Sequence, residues 1–183
     1  MTPKVNKSND DNLCASLSRI LMTRIEMAEY LSRTPNTFKN RLRKSPNSFP
    51  PVTDVSEPTS LKGVVQKRNA LFFRAIASAW LADEHFERAV EINLSGLPAV
   101  LKIEQLAALL HLSVSTVTTL KSRNPDALPP GGKYNLWQTR AVFDWLADRT
   151  DGIPRDKIEI VAPVAKQMGT ADLLMSCTGG RSR

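Results

Sequence analysis

The residues of this chain best equipped for chemistry form a polar, basic run: Asn36, Thr37, Lys39, Asn40, Arg43 and Lys44. Asn can pair bidentately with adenine, and Arg or Lys with guanine. A second run is rich in hydroxyls: Ser115, Thr116, Thr118, Thr119 and Ser122, with Lys121 and Arg123 at its end. Hydroxyls suit phosphate contact and close approach more than strong base selection. Lys62, Lys133 and Tyr134 lie in connections, where they could reach a minor groove or backbone. A cluster of Lys and Arg is by itself usually a solvated face. The elements that carry these runs tip the balance toward DNA.

Enzyme signatures are missing. The two histidines, His85 and His111, are not in metal-ligand spacing, and neither adjoins a cysteine. Gly131-Gly132-Lys133 suggests a phosphate-binding loop but fails its spacing. Ala127 stands where the first Gly is required, and Tyr134 follows the Lys instead of Ser or Thr. Cys14 and Cys177 lie at opposite ends, which is neither a disulfide framework nor a zinc site. We expect no catalysis, cofactor, metal or small-molecule effector.

The chain has 183 residues, with 25 Lys+Arg against 18 Asp+Glu and a formal charge of +7. That excess favours polyanionic partners, nucleic acid before membrane. No apolar run approaches the ~18 residues of a membrane span. Met1 to Ser18 lacks the apolar core of a signal peptide. The expectation is a reduced, cytoplasmic, nucleoid-associated setting.

The sequence repeats itself. At a shift of 79 residues Met22–Pro51 falls on Leu101–Pro130 without gaps. Ala28 meets Ala107, Leu31 meets Leu110, Thr37 meets Thr116, and Pro50-Pro51 meets Pro129-Pro130. The register then resumes at a shift of 65, where Trp80-Leu81-Ala82-Asp83 matches Trp145-Leu146-Ala147-Asp148. The first copy therefore carries 14 extra residues in one connection, as a surface loop tolerates.

Each copy predicts two short helices joined by a tight turn. Thr23 and Glu26 form a capping box, and Met27, Ala28, Tyr30 and Leu31 supply apolar positions. Ser32-Arg33 turns. Thr34 caps the next helix, with Pro35 at its first position, and Phe38 and Leu42 face inward. In the second copy His111-Leu112 turns, Ser113 caps, and Val117 and Leu120 face inward. This is a helix-turn-helix pattern. Gly131 to Asn135 suits a small β-hairpin tip, with Tyr134 and Leu136 opening the return strand. The expected closing helices are Asn69 to Asp83 and Trp137 to Asp148.

The stretches Leu21–Phe38 and Val100–Val117 resemble the opening of winged helix-turn-helix domains of the excisionase, AlpA and MerR type. The resemblance covers about 110 of 183 residues in two copies. It implies a mainly α fold with two winged helix-turn-helix modules in tandem and small β-hairpin wings. It also implies that the second helix of each module, carrying the two polar runs above, reads DNA. The first wing is longer than the pattern expects, and no MerR effector domain or coiled coil is evident.

The expected organisation is a mobile arm over 1–19, a first module over 20–84, a linker over 85–98, a second module over 99–149 and a tail over 150–183. In the arm, Leu13, Leu17, Ile20 and Leu21 suit a short helix. In the tail, Lys157–Val161 alternates like a strand, and Thr170 suits the cap of a helix from Ala171 to Met175. The tail is a candidate for self-association or docking on a module. The expected partner is double-stranded DNA, and the expected role is transcription regulation in a bacterium or mobile genetic element. An excisionase-like architectural factor, a plasmid replication or partition protein, and a protein-interaction adaptor are the alternatives.

Overall fold

The structure is a computed structural model describing residues 7–44, 49–55, 70–82 and 86–161. Its elements begin with α1 (Lys7–Leu17), β1 (Leu21–Met22), α2 (Arg24–Tyr30), α3 (Pro35–Lys44), β2 (Val52–Asp54), β3 (Ala70–Phe73) and α4 (Arg74–Ala82). They continue with β4 (Val90–Asn93), β5 (Val100–Lys102), α5 (Ile103–Leu109), α6 (Val114–Arg123), β6 (Leu136–Gln138), α7 (Thr139–Asp148), β7 (Thr150–Asp151) and β8 (Ile158–Val161). The described residues are mainly helical, with one four-stranded sheet and two two-stranded sheets.

Local chemistry explains the helix starts. Thr23 accepts from the Glu26 amide, and Glu26 accepts from the Thr23 amide and hydroxyl, closing a capping box. Its counterpart in the second copy keeps half of this: the Lys102 amide donates to Gln105 Oε1 at 2.9 Å, but a Lys side chain offers no acceptor in return. Thr34 and Ser113 accept from the Thr37 and Thr116 amides at 3.3 and 3.1 Å. Between the helices Ser32 and His111 both adopt left-handed backbone, at φ 52° and 53°. The same amide bonds close both turns: Arg33 N–H to the Ala28 carbonyl and Leu112 N–H to the Ala107 carbonyl. The chain turns by 101° between α5 and α6.

Strand pairing follows the two sequence shifts. Leu21 and Met22 of β1 pair with Phe73 and Phe72 of β3. Val100 and Leu101 of β5 pair with Gln138 and Trp137 of β6. Moving β1 by 79 and β3 by 65 carries the first register onto the second. The hydrogen bond before each closing helix is kept as well, Arg74 N–H to the Ile20 carbonyl and Thr139 N–H to the Ala99 carbonyl.

Several expectations are corrected. The closing helices start at Arg74 and Thr139, because Ala70–Phe73 and Leu136–Gln138 are captured as strands by β1 and β5. The first copy has its hairpin, β2 on β3. The second does not. Gly131, Gly132, Tyr134 and Asn135 all have positive φ, so the chain makes a tight left-handed turn over Lys133–Asn135 in place of the expected hairpin tip, and the return strand begins at Leu136 as β6. Over 7–17 the mobile arm is instead α1, with Leu17 fully buried. The linker is not a bare connection, because Phe86, Val90, Ile92 and Leu94 are buried and Val90–Asn93 forms β4. The tail strand exists as β8 and pairs in parallel with β4 of the same chain, Val90 opposite Ile158. The expected helix from Ala171 to Met175 lies outside the described residues.

The two copies share one core. Leu17, Leu21, Leu71, Phe73 and Ile76 pack in a single apolar cluster with Leu101, Leu106, Val117, Trp137, Phe143 and Leu146. A second, smaller cluster under α3 gathers Met22, Met27, Phe38, Phe49 and Phe72. Phe38 meets Phe49 and Phe72 edge-on, with centroids 5.2 and 5.7 Å apart.

Candidate nucleic-acid interface

Anchoring decides which face of α3 is left for a ligand. Phe38 is completely buried and Leu42 half-buried, so the opposite face turns outward. Asn36, Thr37, Lys39, Asn40 and Lys44 are exposed there. Thr37 is tied to the Thr34 cap, its hydroxyl accepting at 2.9 Å. The side chains of Asn36, Lys39, Asn40 and Lys44 make no hydrogen bond or ion pair among the described residues. Arg43 sits in the last turn of α3, but its side chain lies outside the described residues, as does all of Lys62. The helix carries no acidic side chain, so its field is positive along its length.

The outer face of α6 is exposed as well, but chemically different. Val117 is buried, and Ser115, Thr116, Thr118, Thr119, Ser122 and Arg123 are exposed. Most of its hydroxyl protons are spent within the helix. Thr118 donates to the Val114 carbonyl, Thr119 to the Ser115 carbonyl and Ser122 to the Thr118 carbonyl, at 2.9–3.0 Å. Ser113 Oγ lies 2.8 Å from the hydroxyls of both Ser115 and Thr116. What such a face presents is methyl groups and oxygen lone pairs. Those match thymine methyls and exocyclic amines better than phosphates. Lys121 is also engaged: its Nζ donates to Asn135 Oδ1 at 2.6 Å and lies 5.8 Å from the Trp137 ring centroid.

The connection after α6 holds the other two candidates. Tyr134 is 71 % exposed with φ 54°, and Lys133 Nζ lies 5.5 Å from its ring centroid. Gly132 makes this geometry possible. At φ 74° it lies against Trp137, and a Cβ there would fall 2.9 Å from Cζ2.

Two residues matter here that sequence reasoning passed over. Asn135 holds Lys121, and no spacing rule signals it. His111 Nε2 donates to the Leu21 carbonyl at 2.8 Å, tying the turn of the second copy to β1 of the first. Its identity at the turn, where the first copy has Ser32, was the available hint. Nearby, burial pushes the Glu26 carboxyl up, but the Thr23 hydrogen bonds and the charges of His111 and Arg74 outweigh it and hold the carboxyl below its ordinary value. Burial, with Asp10, Asp11 and Glu104 adding to it, pushes the Cys14 thiol up, away from thiolate chemistry. Among the described residues no group of His, Cys, Asp or Glu could hold a metal ion. Among them, too, no single helix is long and apolar enough to cross a membrane.

Comparison with protein-family models, with curated proteins and with solved structures finds no match.

Proposed function

We propose that this chain is a sequence-specific double-stranded DNA-binding protein, a transcription regulator built from two winged helix-turn-helix units. The observation that carries this reading is the outer face of α3. Amide and ammonium donors without a partner among the described residues project from a helix whose other face is locked by Phe38. Such a helix enters a major groove by its N-terminal part, here Asn36, Thr37, Lys39 and Asn40. The repeated turn, with left-handed Ser32 and His111 and the 101° change of direction, supports the unit as a helix-turn-helix. The β2–β3 hairpin supports a wing on the first unit, and exposed Lys133 and Tyr134 support a shorter backbone contact from the second.

The test is selection of duplexes from a random pool by the full chain, followed by binding titrations across a salt series. The reading expects an enriched motif and steep weakening with added salt. Lys39→Ala should weaken the selected site by ~1–3 kcal/mol if Lys39 touches a base. An unenriched pool with no salt-dependent binding overturns the reading and favours a protein adaptor.

A further inference from the structure

We infer that the two DNA-reading units form one rigid ruler, so that a single chain recognises two groove segments only at one fixed spacing. This rests on the DNA-binding reading and concerns the geometry of the site recognised. Two units joined by a linker move relative to each other by default, unless their interface is large and apolar. Here the joint is crossed in four separate places.

The first crossing is α1. It precedes the first unit in sequence but packs on α5 of the second, where Asp10 accepts from Lys102 Nζ at 2.9 Å and from Gln105 Nε2 at 3.4 Å. The second runs the other way. β7 follows the second unit but adds to the first unit's sheet as the outer neighbour of β2. Thr53 and Thr150, both buried and 97 positions apart, share a hydroxyl hydrogen bond of 2.9 Å across that edge. The third is the His111 bond to the Leu21 carbonyl. The fourth is β4, from the segment joining the units: it packs on α4 of the first, while β8 holds it in parallel register and Arg140 of the second donates to the Ile160 carbonyl of β8 at 2.9 Å. A continuous apolar cluster fills the space between them. A hinge would have to break all of these together.

The consequence for DNA is geometric. B-DNA turns once in about 10 base pairs. A flexible pair of readers follows an added whole turn by stretching its linker, and a rigid pair cannot. For this chain both a half-turn and a full-turn insertion between the two contacted segments remove one unit from the duplex. That forfeits the gain of tethering, on the order of 100-fold or more in affinity.

The experiment takes the duplex selected above, maps the protected segments by footprinting with the full chain, and inserts 5 or 10 base pairs between them. The changes are in the DNA, so protein folding is unaffected. Two protected segments, with both insertions weakening binding ~100-fold or more, is the expected result. Tolerance of the 10-base-pair insertion within threefold overturns rigidity. A single protected segment overturns the two-unit geometry and leaves the DNA-binding reading standing. Failure to select any duplex overturns that reading as well.

Discussion

At the residue scale, the Thr23–Glu26 pair gives the clearest forecast. Thr23→Ala removes a side-chain cap and should cost about 1 kcal/mol in urea unfolding at neutral pH. Glu26 is held below its ordinary value, so the folded chain binds its proton less readily than the unfolded chain. Its stabilisation is complete above the ordinary carboxylate range and lost as pH falls through the lowered value. In Thr23→Ala that acid-side loss should flatten, which unfolding midpoints at pH 7 and across the acid range will show. Gly132 and Gly96 make a second, paired forecast. Both have positive φ, but a Cβ at Gly96 meets nothing within 4 Å, and one at Gly132 meets Trp137. Gly96→Ala should cost only the ~1 kcal/mol of left-handed backbone. Gly132→Ala should cost clearly more in the same melt and should shift Trp emission. The caps were legible because capping needs only residues three apart. The state of Lys121 was not, because its partner Asn135 arrives through a left-handed turn that no spacing encodes.

At the element scale, α3 depends on one side chain. Phe38→Ala empties the space between Phe49 and Phe72 and should cost ~3–5 kcal/mol by denaturant titration. The two outward-facing helices should also differ in their response to salt. Each phosphate-contacting cation contributes about one unit to the slope of log affinity against log salt. Lys44→Ala, one turn beyond the groove-entering part of α3, should reduce that slope by ~1, while Lys121→Ala, already held by Asn135 and Trp137, should leave it almost unchanged. Both turns and the starts of α3 and α6 could be read from the sequence. The return strand expected from Leu136 is there as β6, but β3 could not be read, and the reason is specific. Ala-Leu-Phe-Phe at 70–73 is a short apolar run buried on every residue, which periodicity alone does not separate from a helix. The pairing with β1, far away in sequence, decides it. The hairpin expected in the second copy was misread because the Gly131-Gly132 loop suits a hairpin tip, while the left-handed backbone that continues through Tyr134 and Asn135 closes a local turn instead.

At the scale of the whole molecule, one shared core predicts one unfolding event. Trp80 reports on the first copy and Trp137 and Trp145 on the second. Their emission and the helical signal should melt in coincident transitions, and two separated steps would contradict a common core. The duplication itself was legible, since identities, apolar matches and the resumed register at Trp80 and Trp145 are all local comparisons. The interlocking was not. Val90-Glu91-Ile92-Asn93 alternates buried and exposed as a strand should, but its partner Ile158–Val161 lies beyond the entire second copy. Synthesis on the ribosome gives that arrangement an order. The outer edge of β2 and the only partner of β4 among the described residues are both supplied after residue 149. Until those codons are translated, the nascent chain carries bare strand edges of the kind that invite aggregation. A message cut short at that point would yield a product for quality control to clear, with both copies of the repeat already made.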